Sequence, residues 1–326
     1  MDSTGVFVGV DVAKDELEVA VLPTNESFRY SNDAAGRRVL ASRLGELKPE
    51  RIVLEASGGY ETKLVVALAD KGLPVCVVNP RCVRDFAKAK GLLAKTDRLD
   101  AMVLADFARS VRPPLRELPD AETRELHSLL ARRHQLVEMR TAEHQREAQA
   151  PPKVGRRIHA HVAWLDKEIE KIEDDLDNRI RKSPLYADAD ERYRTITGIG
   201  PQTALVLMLK LPELGKLDRK EIAALAGLAP FNRDSGLLKG KRSIWGGRAS
   251  VRAALYMATL SAIRWNPPVR AFHEKLVARG KMNKVAITAT MRKLLTALNA
   301  MARDHTTWDP SLFVPRGSSG ELGKAL

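Results

Sequence analysis

The sequence is short of several things, and each shortage closes off a class of function. Only two cysteines, Cys76 and Cys82, occur in 326 residues. That is too few for a four-thiolate zinc site or a disulfide framework, and both fall in or just after an apolar, strand-like segment where burial is the usual fate. Aromatic residues make up 5%, which argues against a stacking platform for single strands. No apolar run approaches the roughly 18 residues that mark a membrane helix, and MDSTGVFVGVD meets an acid where a secretory signal would stay apolar. The expectation is a cytoplasmic chain with no membrane partner. Neither GxxxxGK[ST] nor HExxH is present, so a P-loop ATPase and a zinc hydrolase fit poorly.

Positive charge is what the chain has in excess. The formal net charge is +13, yet residues 1–100 carry 15 basic against 15 acidic side chains and residues 101–190 carry 16 against 17. Residues 191–326 carry 23 against 9, so the whole excess sits in the last third. An excess confined to one region is the electrostatic footprint of a nucleic-acid face.

The elements follow from periodicity. VFVGVDVAKDELEVAVL reads as two strands split by a polar turn at 13–16, with room for a third strand at 26–30, a helix over 34–47 and an apolar strand at 51–55. A glycine turn, a helix over 61–71 and a buried strand at 73–78 complete a βαβ unit with a parallel sheet. Helices are predicted over 83–90 and 95–111, closed by Pro113 and Pro114. From about 118 to 183 the apolar spacing Leu126, Leu129, Leu130, Leu136, Val137 and then Trp164, Leu165, Ile169, Ile172, Leu176, Ile180 predicts a helical hairpin or coiled coil, an arm suited to oligomerisation. Beyond Pro184 helices are expected over 191–210, 218–227, 247–263, 268–279 and 284–303. The fold class expected is thus α/β plus α. Its divisions are an α/β domain at 1–113, a helical arm at 114–188, a helical domain at 189–311 and a tail at 312–326. In that tail VPRGS resembles a thrombin cleavage site of the sort appended for expression.

Four carboxylates stand out in the first domain. Asp11 lies at the inner end of the first strand, flanked by Gly9, Val10 and Val12, where an acid in an apolar run is costly unless it binds something. Glu55 ends another such strand. Asp97 and Asp100 open a helix three residues apart, hence on one face. Each alone has an ordinary explanation, in closing a hairpin, bonding turn amides or capping a helix. Together they form the pattern by which hard divalent cations such as Mg2+ are held for phosphodiester chemistry, because close carboxylates repel unless a cation sits among them.

In the basic third, TITGIGPQTALVL sets Gly198 and Gly200 between two helices, as in a helix-hairpin-helix, whose backbone amides approach a phosphate at a helix N-terminus. FNRDSGLLKGKRSIWGGRAS is a polar loop without helix or strand period. With the start of the next helix, it offers Arg233, Lys239, Lys241, Arg242, Arg248 and Arg252 as phosphate contacts. Ser235, Ser243 and Ser250 are its hydroxyls, and Ser250 reads as a helix N-cap. No zinc finger or convincing helix-turn-helix reader is present.

The order Asp, Glu, then KTDxxDA opening a helix resembles the RuvC-like DEDD domain, a variant of the ribonuclease H fold. The phrases GVDVAKDELEVAV, LEASGGYE, VVNP, KTDRLDAMVLADFAR, TGIGPQTA, LAGLAPFNRDSG and RASVRAALYMA resemble the transposases of bridge-RNA-guided insertion sequences, the group that includes the Piv-type DNA invertases. They run in order across roughly residues 6 to 300. The resemblance implies that Asp11, Glu55, Asp97 and Asp100 hold Mg2+ and that Ser235 is a nucleophile forming a covalent phosphoserine link to DNA. It further implies target and donor DNA and a structured guide RNA as partners, and a homo-oligomer, dimer or tetramer, sharing composite sites. A RuvC-like nuclease or junction resolvase using water as the nucleophile is the alternative. A scaffold with structural acids and a sugar-kinase-like ATPase are weaker rivals.

Overall fold

The computed structural model describes residues 5–92, 96–115, 119–231, 234–235, 238–239 and 243–313, with the backbone alone for 234–235, 238–239 and 312. The chain divides into two compact units, Met1–Pro119 and Asp120–Leu326.

The first unit is a three-layer α/β sandwich. Strands β1 (Phe7–Val12), β2 (Glu16–Leu22) and β3 (Glu26–Ser31) form an antiparallel meander. Beyond helix α1 (Ala34–Leu47), β4 (Arg51–Glu55) lies parallel to β1, and beyond α2 (Thr62–Ala69), β5 (Val75–Val78) lies parallel to β4. The sheet order is β3-β2-β1-β4-β5. Strand alternation sorts the core onto two faces. Val8, Val10, Val12, Val19, Ile52 and Leu54 pack with Leu40 and Leu44 of α1 and Leu64 and Leu68 of α2. Phe7, Ala20, Val53 and Cys76 pack instead with Val83 of α3 (Pro80–Ala89) and with Ala101, Leu104, Ala105 and Ala108 of α4 (Asp97–Val111). Each fully buried Leu or Ile here contributes about 1.5–3 kcal/mol.

Gly9 fixes how closely α4 approaches. A Cβ there would stand 2.1 Å from the Ala101 carbonyl oxygen and 2.3 Å from the Ala105 nitrogen, so the helix backbone rests directly on β1. The first turn of α4 therefore lies beside the end of β1.

The second unit opens with the expected arm, α5 (Ala121–Glu147) and α6 (Pro152–Lys182). Ion pairs Arg179–Glu125, Arg133–Glu173 and Arg140–Asp166 run down the two helices in antiparallel register. The arm is not a separate body at its root. Leu126, Leu130, Leu176 and Ile180 share one core with Ile196, Leu207, Leu255 and Leu298 of the helical region, while Leu136, Leu165 and Ile169 form a small cluster further out. Trp164, expected on the seam, is 49% exposed.

The helical region comprises α7 (Ala187–Arg194), α8 (Pro201–Lys210), α9 (Arg219–Leu225), α10 (Ala249–Trp265), α11 (Pro267–Ala278) and α12 (Asn283–Asp304). Within 191–210 the chain turns between α7 and α8 where Gly198 takes φ +111°, and Pro201 starts α8, so Gly198 and Gly200 lie between two helices. Between α9 and α10, the stretch read as without strand period forms short antiparallel pairs. Strands β6 (Pro230–Phe231) and β9 (Ser243–Ile244) pair with each other, and so do β7 (Asp234–Ser235) and β8 (Leu238–Lys239). Ser250 is not the N-cap. Backbone at Arg248 is still extended and Ala249 already begins α10, so Ser250 lies inside the first turn and Arg248 holds the cap position without a side-chain cap bond. Among the described residues, no helix is long and apolar enough to cross a membrane.

Candidate active site

The acids gather at one end of the first unit for reasons of register. Asp11 lies two residues after Gly9, on the face that α4 covers. It stands opposite Glu18 of β2, which stands opposite Arg29 of β3. On the other side Val10 pairs with Leu54 in parallel, which brings Glu55 beside Asp11. Glu55, Asp11, Glu18 and Arg29 thus form a row across four strands. Over it begins α4, whose N-cap Thr96 accepts a bond from the Leu99 amide, with Asp97 and Asp100 in the first turn. The N-terminal end of a helix dipole favours both carboxylates.

One carboxylate oxygen each of Asp11, Asp97 and Asp100 lie within 4.8 Å of one another. Burial pushes the Asp11 carboxyl up to about 6, helped by the charges of Asp100, Glu55 and Asp97 and opposed by a bond to the Val12 backbone. Glu55 acts on Asp11 through its charge rather than by joining that close group. Converging hard oxygens, with the ionisation of Asp11 held back by its neighbours, are a donor set suited to a divalent cation.

Three further residues complete this end of the sheet and were not singled out in the sequence. Glu18 is 8% exposed and receives the Arg29 guanidinium, Nε to Oε2, at 2.6 Å. That pairing, followed by the charges of Glu18, Glu16 and, more weakly, Asp97, holds Arg29 more firmly protonated. Glu61 organises the loop after β4. Its Oε2 accepts from the Ser57 amide at 3.1 Å, the Ser57 hydroxyl at 2.9 Å and the Gly59 amide at 2.9 Å. Burial would raise the Glu61 carboxyl, but these bonds outweigh it and hold it low. Gly58 and Gly59 sit at φ +75° and +110°, which explains the glycine pair. Counting strand pairs outward from Asp11 would have found Glu18 and Arg29; no local signal marks Glu61.

The basic candidates of the second unit fare differently from one another. The Ser235 backbone lies in β7, paired with Leu238, and the Lys239 backbone lies in β8. Arg233, Lys241 and Arg242 lie outside the described residues. Arg248 is already engaged: its guanidinium grips Glu213 at 2.5 and 2.6 Å and donates to the Lys210 carbonyl at 2.9 Å. Arg252 donates to the Gly246 carbonyl at 2.6 Å. Gly198 has a packing reason of its own, since a Cβ there would meet the Ala262 backbone of α10 at 2.6–2.7 Å. Gly200 is the α8 N-cap, with extended backbone and open space where a Cβ would stand.

Two family models match the chain, one over each of these regions. A DEDD model named for IS110 and described as "Transposase" matches residues 8–150, which include Asp11, Glu55, Asp97 and Asp100. One described as "Transposase IS116/IS110/IS902 family" matches residues 190–274, which include Gly198, Gly200, Ser235, Arg248 and Arg252. The "Pilin gene-inverting protein" of Moraxella bovis is 27% identical over 313 residues, covering 93% of this chain and 97% of that protein. The protein of the same name from Moraxella lacunata matches to the same extent. The "Transposase for insertion sequence element IS1328" of Yersinia enterocolitica is 25% identical over 332 residues, covering 86% and 94%. By class the chain is a DNA transposase or recombinase. It belongs to the IS110 family of transposases.

Proposed function

We propose that this chain is an RNA-guided DNA recombinase that cuts and rejoins strands with two sets of groups, an Mg2+-binding acid cluster on a RuvC-like domain and a serine nucleophile on the helical domain. The observation that carries the reading is the convergence of Asp11, Asp97 and Asp100 within 4.8 Å beside Glu55. A five-stranded sheet with an antiparallel meander followed by parallel strands is compatible with a ribonuclease H type of fold.

Asp11, Asp97, Asp100 and Glu55 would hold the cation. When bound, Mg2+ would offset charge at a scissile phosphate and lower the cost of the leaving oxygen. The chain's own nucleophile is Ser235. Its hydroxyl oxygen forms a bond to phosphorus, the bond from phosphorus to the strand-end oxygen breaks, and the serine proton is balanced by protonation of the departing hydroxyl. The resulting phosphoserine conserves the ester for rejoining, which a recombinase requires and a nuclease does not. Lys239, Lys241, Arg233 and Arg242, near Ser235 in the sequence, would offset phosphate charge, and Gly198 and Gly200 would admit a backbone phosphate at the start of α8. A basic last third with no evident base-reading element suits a division of labour in which a structured guide RNA selects target and donor DNA while protein holds backbones. Acids and serine come from different units, so the arm α5–α6 is the natural element to bring subunits together in a dimer or tetramer.

The test is strand cleavage of a plasmid carrying the chain's own element. Ser235→Ala should abolish cleavage and the protein–DNA adduct in Mg2+. Undiminished cleavage by that variant would instead assign the attack to water, as in a junction resolvase.

A further inference from the structure

Position of the serine hairpin is a problem that its own strands do not solve, because each of the four strands between α9 and α10 is two residues long. What fixes its root is a set of contacts converging on residues 244–248. Ile244 packs against the main core of the unit. Gly227 and Gly247 interlock: a Cβ on Gly227 would stand 2.2 Å from the Gly246 carbonyl oxygen, and one on Gly247 would stand 2.2 Å from the Gly227 nitrogen. The Arg248 amide donates to the Leu225 carbonyl at 2.9 Å. Its guanidinium forms the two-pronged pair with Glu213 and caps the C-terminal carbonyl of α8 at Lys210. Both partners are largely shielded, with side chains 24% and 25% exposed.

We infer that the Glu213–Arg248 ion pair is the positioning device of the serine hairpin, locking its outgoing strand to the end of α8 so that Ser235 is presented in one orientation. Arg248 is thereby a positioning residue and not a DNA contact. A planar guanidinium gripped by both carboxylate oxygens fixes direction as well as distance, which an ammonium does not. Misplacing a reacting group by about 1 Å costs on the order of 100-fold in rate. The inference rests on Ser235 being the nucleophile.

Full-length protein should be compared as wild type, Glu213→Gln and Arg248→Lys. Three readouts apply: affinity for a plasmid carrying its own element and flanks, the rate of the Ser235–DNA adduct, and amide hydrogen exchange. Both variants should form the adduct on the order of 100-fold more slowly, bind the plasmid within about twofold of wild type, and exchange faster over residues 243–248 while residues 7–55 are unchanged. Adduct formation at the wild-type rate in both variants overturns the inference. So does a fall in plasmid affinity that accounts for the lost rate, because the pair would then act through DNA binding rather than through the placement of the serine hairpin. Failure of the underlying reading looks different, since the wild-type chain would then give no Ser235 adduct at all. Should either variant be poorly folded, Glu213→Asp keeps the charge and is expected to recover part of the rate at unchanged affinity.

Discussion

The acid-bearing end of the first unit and the serine-bearing hairpin of the second are held by different physics. The acids ride on elements that a core already fixes: Asp11 and Glu55 lie at the ends of strands and directly follow the fully buried Val10 and Leu54, and Asp97 and Asp100 open a helix seated on β1 through Gly9. The hairpin has two-residue strands, and its position depends on an ion pair and a glycine contact at its root. A firmly seated acid cluster and a serine tethered at one root are two different ways of placing the groups that the proposed chemistry needs. Breaking each kind of support should therefore give a different phenotype.

The largest effects should come from the reacting groups. Asp11→Ala, Asp100→Ala and Ser235→Ala are each expected to lower strand cleavage by at least about 1000-fold. Only the two acid variants should also lose divalent-cation binding, measured by titration calorimetry. Next comes the seat of the acids. Gly9→Ala drives a methyl group into the α4 backbone, and overpacking of this kind costs about 1–3 kcal/mol. Denaturant unfolding should report that loss, and cation binding should weaken with it because the first turn of α4 must shift.

Much of the first unit is legible in the sequence because alternation and turn residues specify it locally. Third strand, βαβ unit and the Asp97–Asp100 spacing all follow from patterns within a few residues. Less legible is what depends on register between distant segments. Glu18 reads as one acid among several in DELEV until pairing sets it opposite both Asp11 and Arg29. Glu213 is an unremarkable turn residue until Arg248, 35 positions on, closes on it. For the same reason Arg248 reads in the sequence simply as a cation free to meet phosphate: charge composition does not reveal its pairing with Glu213. Ser250 misled in another way, because an N-cap residue type occurs two positions after the cap.

Smaller effects sharpen the contrast. Glu61→Gln removes the charge behind three bonds to the loop after β4, and should cost about 1–2 kcal/mol in stability while leaving the serine hairpin's hydrogen exchange unchanged. The smallest is a pH effect confined to the first unit. With its carboxyl raised to about 6 from 3.8, Asp11 binds a proton more tightly in the folded chain than in the unfolded one. Its contribution to metal-free stability is complete below about pH 4 and disappears as pH rises through 6. Metal-free protein should thus lose about 1 kcal/mol across that window, after discounting for solvent screening, and Asp11→Asn should flatten the curve. Cation affinity should run the opposite way, strengthening as pH rises through 6, since proton and metal compete for one carboxylate.

The most direct measurement of the central claim is mass spectrometry of protein trapped on its element's DNA in Mg2+, after nuclease and protease digestion. The account predicts a peptide carrying a nucleotide phosphate on Ser235, present in wild type and absent from Asp97→Ala. Cleaved DNA with no modified Ser235, or the modification on another residue, would contradict it.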